Sequence, residues 1–121
     1  MPRDRSDSNK DAAWLLDMLT AAKAVRSFVS GRTLEQYLTD LMLRSAVERQ
    51  VEIIGEAARG LSVEYKLAHP EIPWRSITAQ RHRLAHEYGE INDNLIWTVA
   101  TVHITALIDQ LVLLVPPPPE E

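Results

Sequence analysis

Between Leu41 and Leu61 the apolar residues Val47, Val51, Ile54, Ala58 and Leu61 step by four, three, four and three. Only an α-helix returns side chains at that spacing to one face, so this stretch must bury one side against partners of the same kind. The period also runs from Asp11 to about Val29, through Trp14, Leu15, Met18, Leu19, Ala22, Val25 and Phe28 or Val29. It returns from about Asn92 onward, through Leu95, Ile96, Val99, Val102, Ala106, Leu107, Leu111 and Leu114, a surface wide enough for both a core and a subunit interface. No segment alternates apolar and polar residues between hairpin turns, and there is no internal repeat. The expectation is an all-α fold, an antiparallel bundle of four to five helices joined by short connections.

Punctuation along the chain supports that division. Gly31 should end the first helix, and Thr33 with Gln36 has capping-box spacing for a short turn holding Leu34, Tyr37 and Leu38. Gly60 and Ser62 close the second long helix and lead to a short one over Val63 to Ala68. Pro73 suits a first helical turn, predicting a third long helix from Trp74 to about Tyr88, with Trp74, Ile77, Leu84 and Ala85 toward the core and Gly89 closing it. Asn92 or Asp93 should cap the last helix. Residues 1–10 read as a flexible N-terminus, 11–115 as the helical domain and 116–121, PPPPEE, as a proline-rich acidic tail that cannot extend a helix.

With 121 residues the chain suffices for one domain and one core. Its net charge of −4 argues against general coating of DNA or an anionic membrane, yet leaves room for a local basic pocket. It has no cysteine, which removes disulfides, thiolate metal sites and cysteine nucleophiles. The polar start MPRDRSDSNK is not a signal peptide, and the apolar C-terminal run is interrupted by His103, Asp109 and Gln110, so no membrane span is expected. A cytoplasmic protein follows from these features.

Two features of the second helix invite a functional reading. Arg44, Glu48, Glu52 and Glu56 recur every fourth residue, and adjacent like charges at that spacing cost stability unless something positive faces them. Gly55 lies mid-helix, where glycine costs roughly 0.5–1 kcal/mol relative to alanine. Either the position is simply tolerant or a neighbouring helix crosses there at close range.

The chemistry concentrates in QRHRLAHEY, Gln80 to Tyr88. At about 100° per residue, His82 and His86 share a helix face, whereas Arg81 and His86 diverge by about 140° and Arg81 returns to the face of Tyr88. Three readings stay open on the residues alone. The segment can be a solvated helix face. It can be a metal clip on His82 and His86, although Arg83 stands where the HExxH pattern needs glutamate and spacing marks no third ligand among His69, His103 and the carboxylates. Or it can be a phosphate site, in which arginine holds phosphodiester oxygens and histidine moves a proton. RNA would bring its own nucleophile, the 2′-hydroxyl, so such a site needs neither metal nor cofactor.

The segment resembles the signature of the HEPN-domain ribonuclease toxins of prokaryotic toxin–antitoxin systems, in particular the HepT-like family. That signature is an arginine, four to six residues and a histidine, commonly extended as RNxxxHxY; here it reads RHRLAHEY, Arg81 to Tyr88. RSAVERQVEIIGEAARGL from Arg44 to Leu61, IPW from Ile72 to Trp74 and NDNLIW from Asn92 to Trp97 are also similar to family elements, and together these features span about residues 11 to 115.

The resemblance implies an all-helical HEPN-like homodimer and metal-independent endoribonuclease activity, with Arg81 and His86 catalytic and His82, Arg83 and Glu56 supporting or binding substrate. Products would carry a cyclic phosphate or its hydrolysed form. It further implies a minimal nucleotidyltransferase antitoxin, which in some systems transfers AMP to the signature tyrosine, here Tyr88. One departure is His82, where asparagine is common; it can supply a donor, add a titrating group or displace Arg81. The Glu48, Glu52 and Glu56 stripe could meet the basic segment, and Gly55 with Glu56 would serve close packing and cleft architecture. His69 reads as a loop residue and His103 as structural. The competing expectation is a catalytically weak or inactive HEPN-like module that binds RNA or protein.

Overall fold

The computed structural model describes residues 5–86 and 91–116, with side chains from Asn9 to Leu84 and from Ile91 to Pro116. The expectations for Tyr88, Gly89 and the tail beyond Pro116 therefore fall outside the described residues, as do the side chains of Ala85 and His86. Among the described residues the chain forms α1 (Arg5–Val29), α2 (Leu34–Thr39), α3 (Leu41–Gly60), α4 (Val63–Ala68), α5 (Trp74–His86) and α6 (Asp93–Thr98). A π-helical turn (Val99–His103) then leads into α7 (Ile104–Leu111). The fold is an all-α bundle in which α1 packs on α3 and α7, and α3 packs on α5. None of these helices is long and apolar enough to cross a membrane.

The core follows the apolar periods. Val47, Val51, Ile54, Ala58 and Leu61 are all buried, as are Leu15, Met18, Leu19, Ala22, Val25 and Val29 of α1. From α5, Leu84 is buried, while Trp74 and Ile77 pack on the core from its edge. The last apolar surface divides: Ile96, Leu107 and Leu111 enter the core, while Leu95 and Val102 stay exposed.

Caps set the boundaries by supplying partners to the free N–H groups of a first turn. The Thr33 hydroxyl accepts from the Gln36 N–H at 3.1 Å and the Gln36 side chain accepts from the Thr33 N–H at 2.9 Å, which completes the anticipated capping box. Asp40, Ser62 and Asn92 accept from the N–H groups of Leu43, Tyr65 and Leu95 to start α3, α4 and α6. Gly31, with φ +73°, leaves α1 through the left-handed region. Buried Asp11 ties α1 to the α3–α4 junction by accepting from the Ser62 N–H (2.9 Å) and hydroxyl (2.8 Å). Trp74 donates its indole N–H to the carbonyls of His69 (2.9 Å) and Lys66 (3.1 Å), closing the end of α4 and anchoring the start of α5.

Two boundaries differ from expectation. The first helix begins at Arg5, six residues before Asp11. The last helix contains a π turn, in which the Ile104 N–H reaches back five residues to the Val99 carbonyl. Across it the buried residues Ile96, Ala100 and Ile104 step by four and four, a spacing that a wider turn keeps closer to one face than a regular α-helix does.

Candidate functional site

Arg81 stands at the crossing of α3 and α5. A Cβ placed on Gly55 would overlap the Arg81 Cβ and lie 2.7 Å from its Cγ and 3.2 Å from its Cα. Glycine is thus required there by close approach, the reading that its mid-helix position left open. The aliphatic stem of Arg81 is pressed against the α3 backbone, and the residue is half-buried. Its Nε is buried and has no hydrogen-bond partner among the described residues.

The other signature residues distribute as helical geometry requires. His82 and Arg83 are exposed on α5. His86 is the last residue of α5, five positions and about 140° from Arg81 on a straight helix. The described structure brings Arg81 against Gly55, next in sequence to Glu56.

The glutamate stripe has its partners on or near its own helix. Arg49 Nη1 lies 3.5 Å from Glu52 and 3.4 Å from Glu56. Glu48 shares a different cluster with Arg44, Asp93 and the buried ring of Tyr37. Burial and Asp93 push the Glu48 carboxyl above its ordinary range, with Arg44 opposing. Burial, then Glu48 and Asp93, drive the Tyr37 phenol above its own. Arg44 donates to the carbonyl of Leu38 at 2.6 Å and lies 3.7 Å from the Asp93 carboxylate, joining α2, α3 and α6. Two residues of the RSAVERQ element, Arg44 and Glu48, are therefore tied to architecture.

A groove opens on the other side of α5. Its cavity, of about 750 Å³, lies between α5 and the last helical stretch, with Ile54, Ile77, Val99 and Leu107 in its walls. Arg75, Arg83 and His103 line it, and all three are exposed. A smaller cavity of about 180 Å³ shares Gln80, Arg83 and Leu95 with it and extends to Ile91 and Asn92, where the described chain resumes after α5. Arg75 carried no signal in the sequence beyond returning to within about 80° of Arg83 around the helix. His103 sits at the end of the π turn on the groove wall. Among the described residues no group of three His, Asp or Glu side chains could hold a metal ion.

Comparison with known proteins decides the family. The family model described as Ribonuclease HepT-like matches residues 18–114, which contain α3, α5 and the groove. The chain belongs to the HepT-like family. It is 34% identical over 100 residues to the "Probable ribonuclease HepT" of Thermococcus cleftensis, a match covering 83% of this chain and 89% of that one. A "Putative RNase" of Caldanaerobacter subterraneus subsp. tengcongensis is 36% identical over 83 residues, 69% of this chain and 74% of the relative. Another, from Methanocaldococcus jannaschii, is 33% identical over 87 residues, 72% of each chain. No solved structure matches significantly. The matched residues 18–114 include both Gly55 and Arg81 of the α3–α5 crossing.

Proposed function

We propose that this HepT-like protein is an endoribonuclease toxin that cleaves RNA without a metal ion, using Arg81 and His86. The observation that carries the reading is the seating of Arg81. Its stem is held by the close α3–α5 crossing, so the orientational entropy of a long side chain is largely spent on folding, before substrate arrives. A guanidinium so placed suits a phosphate whose charge increases during reaction, because a preoriented cation stabilises that charge without reorganising.

In the proposed reaction the RNA 2′-oxygen attacks the adjacent phosphorus, and the bond from phosphorus to the 5′-oxygen breaks. A 2′,3′-cyclic phosphate and a 5′-hydroxyl result. Arg81 holds the non-bridging oxygens, and His86 takes the 2′-hydroxyl proton or gives one to the leaving oxygen. Arg81 and His86 diverge around α5, so we further propose a homodimer in which the end of α5 and a second copy complete the cleft. A cognate nucleotidyltransferase would neutralise the toxin, with AMP on Tyr88 occupying the phosphate site.

The deciding experiment is metal-free cleavage of RNA by the purified protein, compared with Arg81→Ala and His86→Ala. Each substitution should lower the rate by about 10²–10³ or more while the helical circular-dichroism spectrum is retained. Cleavage surviving both substitutions defeats the assignment. A protein that binds RNA yet never cleaves it is the non-catalytic module instead. For control by the antitoxin, co-expression should add adenylyl mass that Tyr88→Phe abolishes.

A further inference from the structure

The groove between α5 and the π turn has no part in holding Arg81, yet its chemistry is specific. Among the described residues that line it there are two arginines and a histidine but no aspartate or glutamate. That local balance opposes the chain's net charge of −4. A cationic concavity in an acidic protein concentrates field where an anion would sit. Beneath the cations the walls are aliphatic, and the volume lies within the roughly 300–1,000 Å³ of small-ligand sites. An apolar floor with cations above it complements a nucleotide: base and ribose below, phosphate at the rim.

We infer that this groove is a nucleotide subsite, holding a nucleotide of the RNA strand beside the one being cleaved, with its phosphate on Arg75, Arg83 and His103. The inference rests on the ribonuclease reading for its choice of RNA. Direction along the protein supports it, since the smaller cavity carries the groove from Arg83 to Ile91 and Asn92, just past the signature. Along this stretch Ile96 and Ala100 face the core while Leu95, Val99 and His103 line the groove. A neutral imidazole still has one N–H to donate, so His103 can bind a phosphate oxygen without being charged. Among the described residues no Phe, Tyr or Trp ring lines the groove. The base would rest on aliphatic side chains and guanidinium planes, giving strand affinity with little base selectivity.

The test uses the full-length protein and a fluorescent single-stranded oligoribonucleotide methylated at every 2′-oxygen, which cannot be cleaved. Binding is read by anisotropy at several salt concentrations for wild type, Arg75→Ala, Arg75→Lys, His103→Ala and, as a control, Arg32→Ala in the α1–α2 turn. Arg75→Ala and His103→Ala should each weaken binding by about tenfold. Arg75→Ala should also flatten the log–log salt dependence by about 0.7, the loss of one phosphate contact on a single strand, and Arg75→Lys should restore that slope. With cleavable RNA, KM should rise more than kcat falls. Undiminished binding by both alanine variants overturns the inference, as does an equal loss in Arg32→Ala or a wild type that does not bind. If light scattering shows that the variants lose affinity only through a change in oligomeric state, the groove is a protein interface and the subsite is overturned. Wild-type binding that needs Arg75 and His103 without cleavage supports the subsite while defeating the nuclease reading. Cleavage that needs Arg81 but ignores Arg75 and His103 does the reverse.

Discussion

Two glycines five residues apart on α3 do the same thing for different ends. At Gly60, a Cβ would meet the ring of Trp14 from α1, coming within 2.6 Å of the indole nitrogen and 2.7 Å of Cδ2. At Gly55 it would meet the stem of Arg81 from α5. Both are sites of close helix approach where a missing methyl admits a large side chain. At Gly60 that side chain packs against the core; at Gly55 it carries a cation. A single packing device can therefore admit an aromatic ring at one end of a helix and seat a cationic side chain further along it, and the identity of the guest decides which.

The largest expected effects lie on the guest at the Gly55 crossing. Arg81→Ala removes the charge but relieves a tight contact, so cleavage should fall by about 10²–10³ while thermal stability changes little. A large drop in melting temperature would mean that Arg81 is there for packing, like Trp14. Gly55→Ala attacks the same site from the other helix. Overpacking of this kind costs about 1–3 kcal/mol, and it should displace Arg81 as well, so both melting temperature and cleavage fall. Gly60→Ala sharpens the contrast: it should cost a similar amount of stability on denaturant titration yet leave the cleavage rate per folded molecule near wild type.

Asp11→Ala probes the structural end alone. It removes the acceptor of two hydrogen bonds from Ser62, and the melting curve should show a loss of about 1–3 kcal/mol with kcat unchanged. The smallest effect is expected at Glu48. Its raised carboxyl binds a proton more readily in the folded chain than in the unfolded one, so ionised Glu48 weakens the fold above that raised value and ceases to do so as pH falls through it. Glu48→Gln should therefore be slightly more stable than wild type at neutral pH. Melting curves across the acidic range should show that advantage disappearing as Glu48 becomes protonated.

Much of this architecture was legible because it is written in local spacing. The 4-3-4-3 steps of α3 marked its buried face, and Thr33 with Gln36 announced a capping box that both hydrogen bonds complete. Arg81, His86 and Tyr88 were legible as a signature, although only Arg81 has its side-chain environment described. Other features depended on which elements meet. Nothing about Gly55 in isolation named Arg81 as its neighbour, and the glutamate stripe gave no sign that Glu48 would share a cluster with Tyr37 and Asp93 from other elements. The π turn carried no signal in local spacing, since Ala21, Val25 and Val29 show the same two four-residue steps, all buried, within the regular helix α1.

The sequence by itself thus determined the helical class, the caps and the family signature, since each depends on residues within one or two turns of each other. Tertiary structure alone decided that Arg81 is seated against Gly55 and that Arg75, Arg83 and His103 share one groove. Those placements join residues from different helices, and contact between helices is set by how their faces pack rather than by any period within one of them.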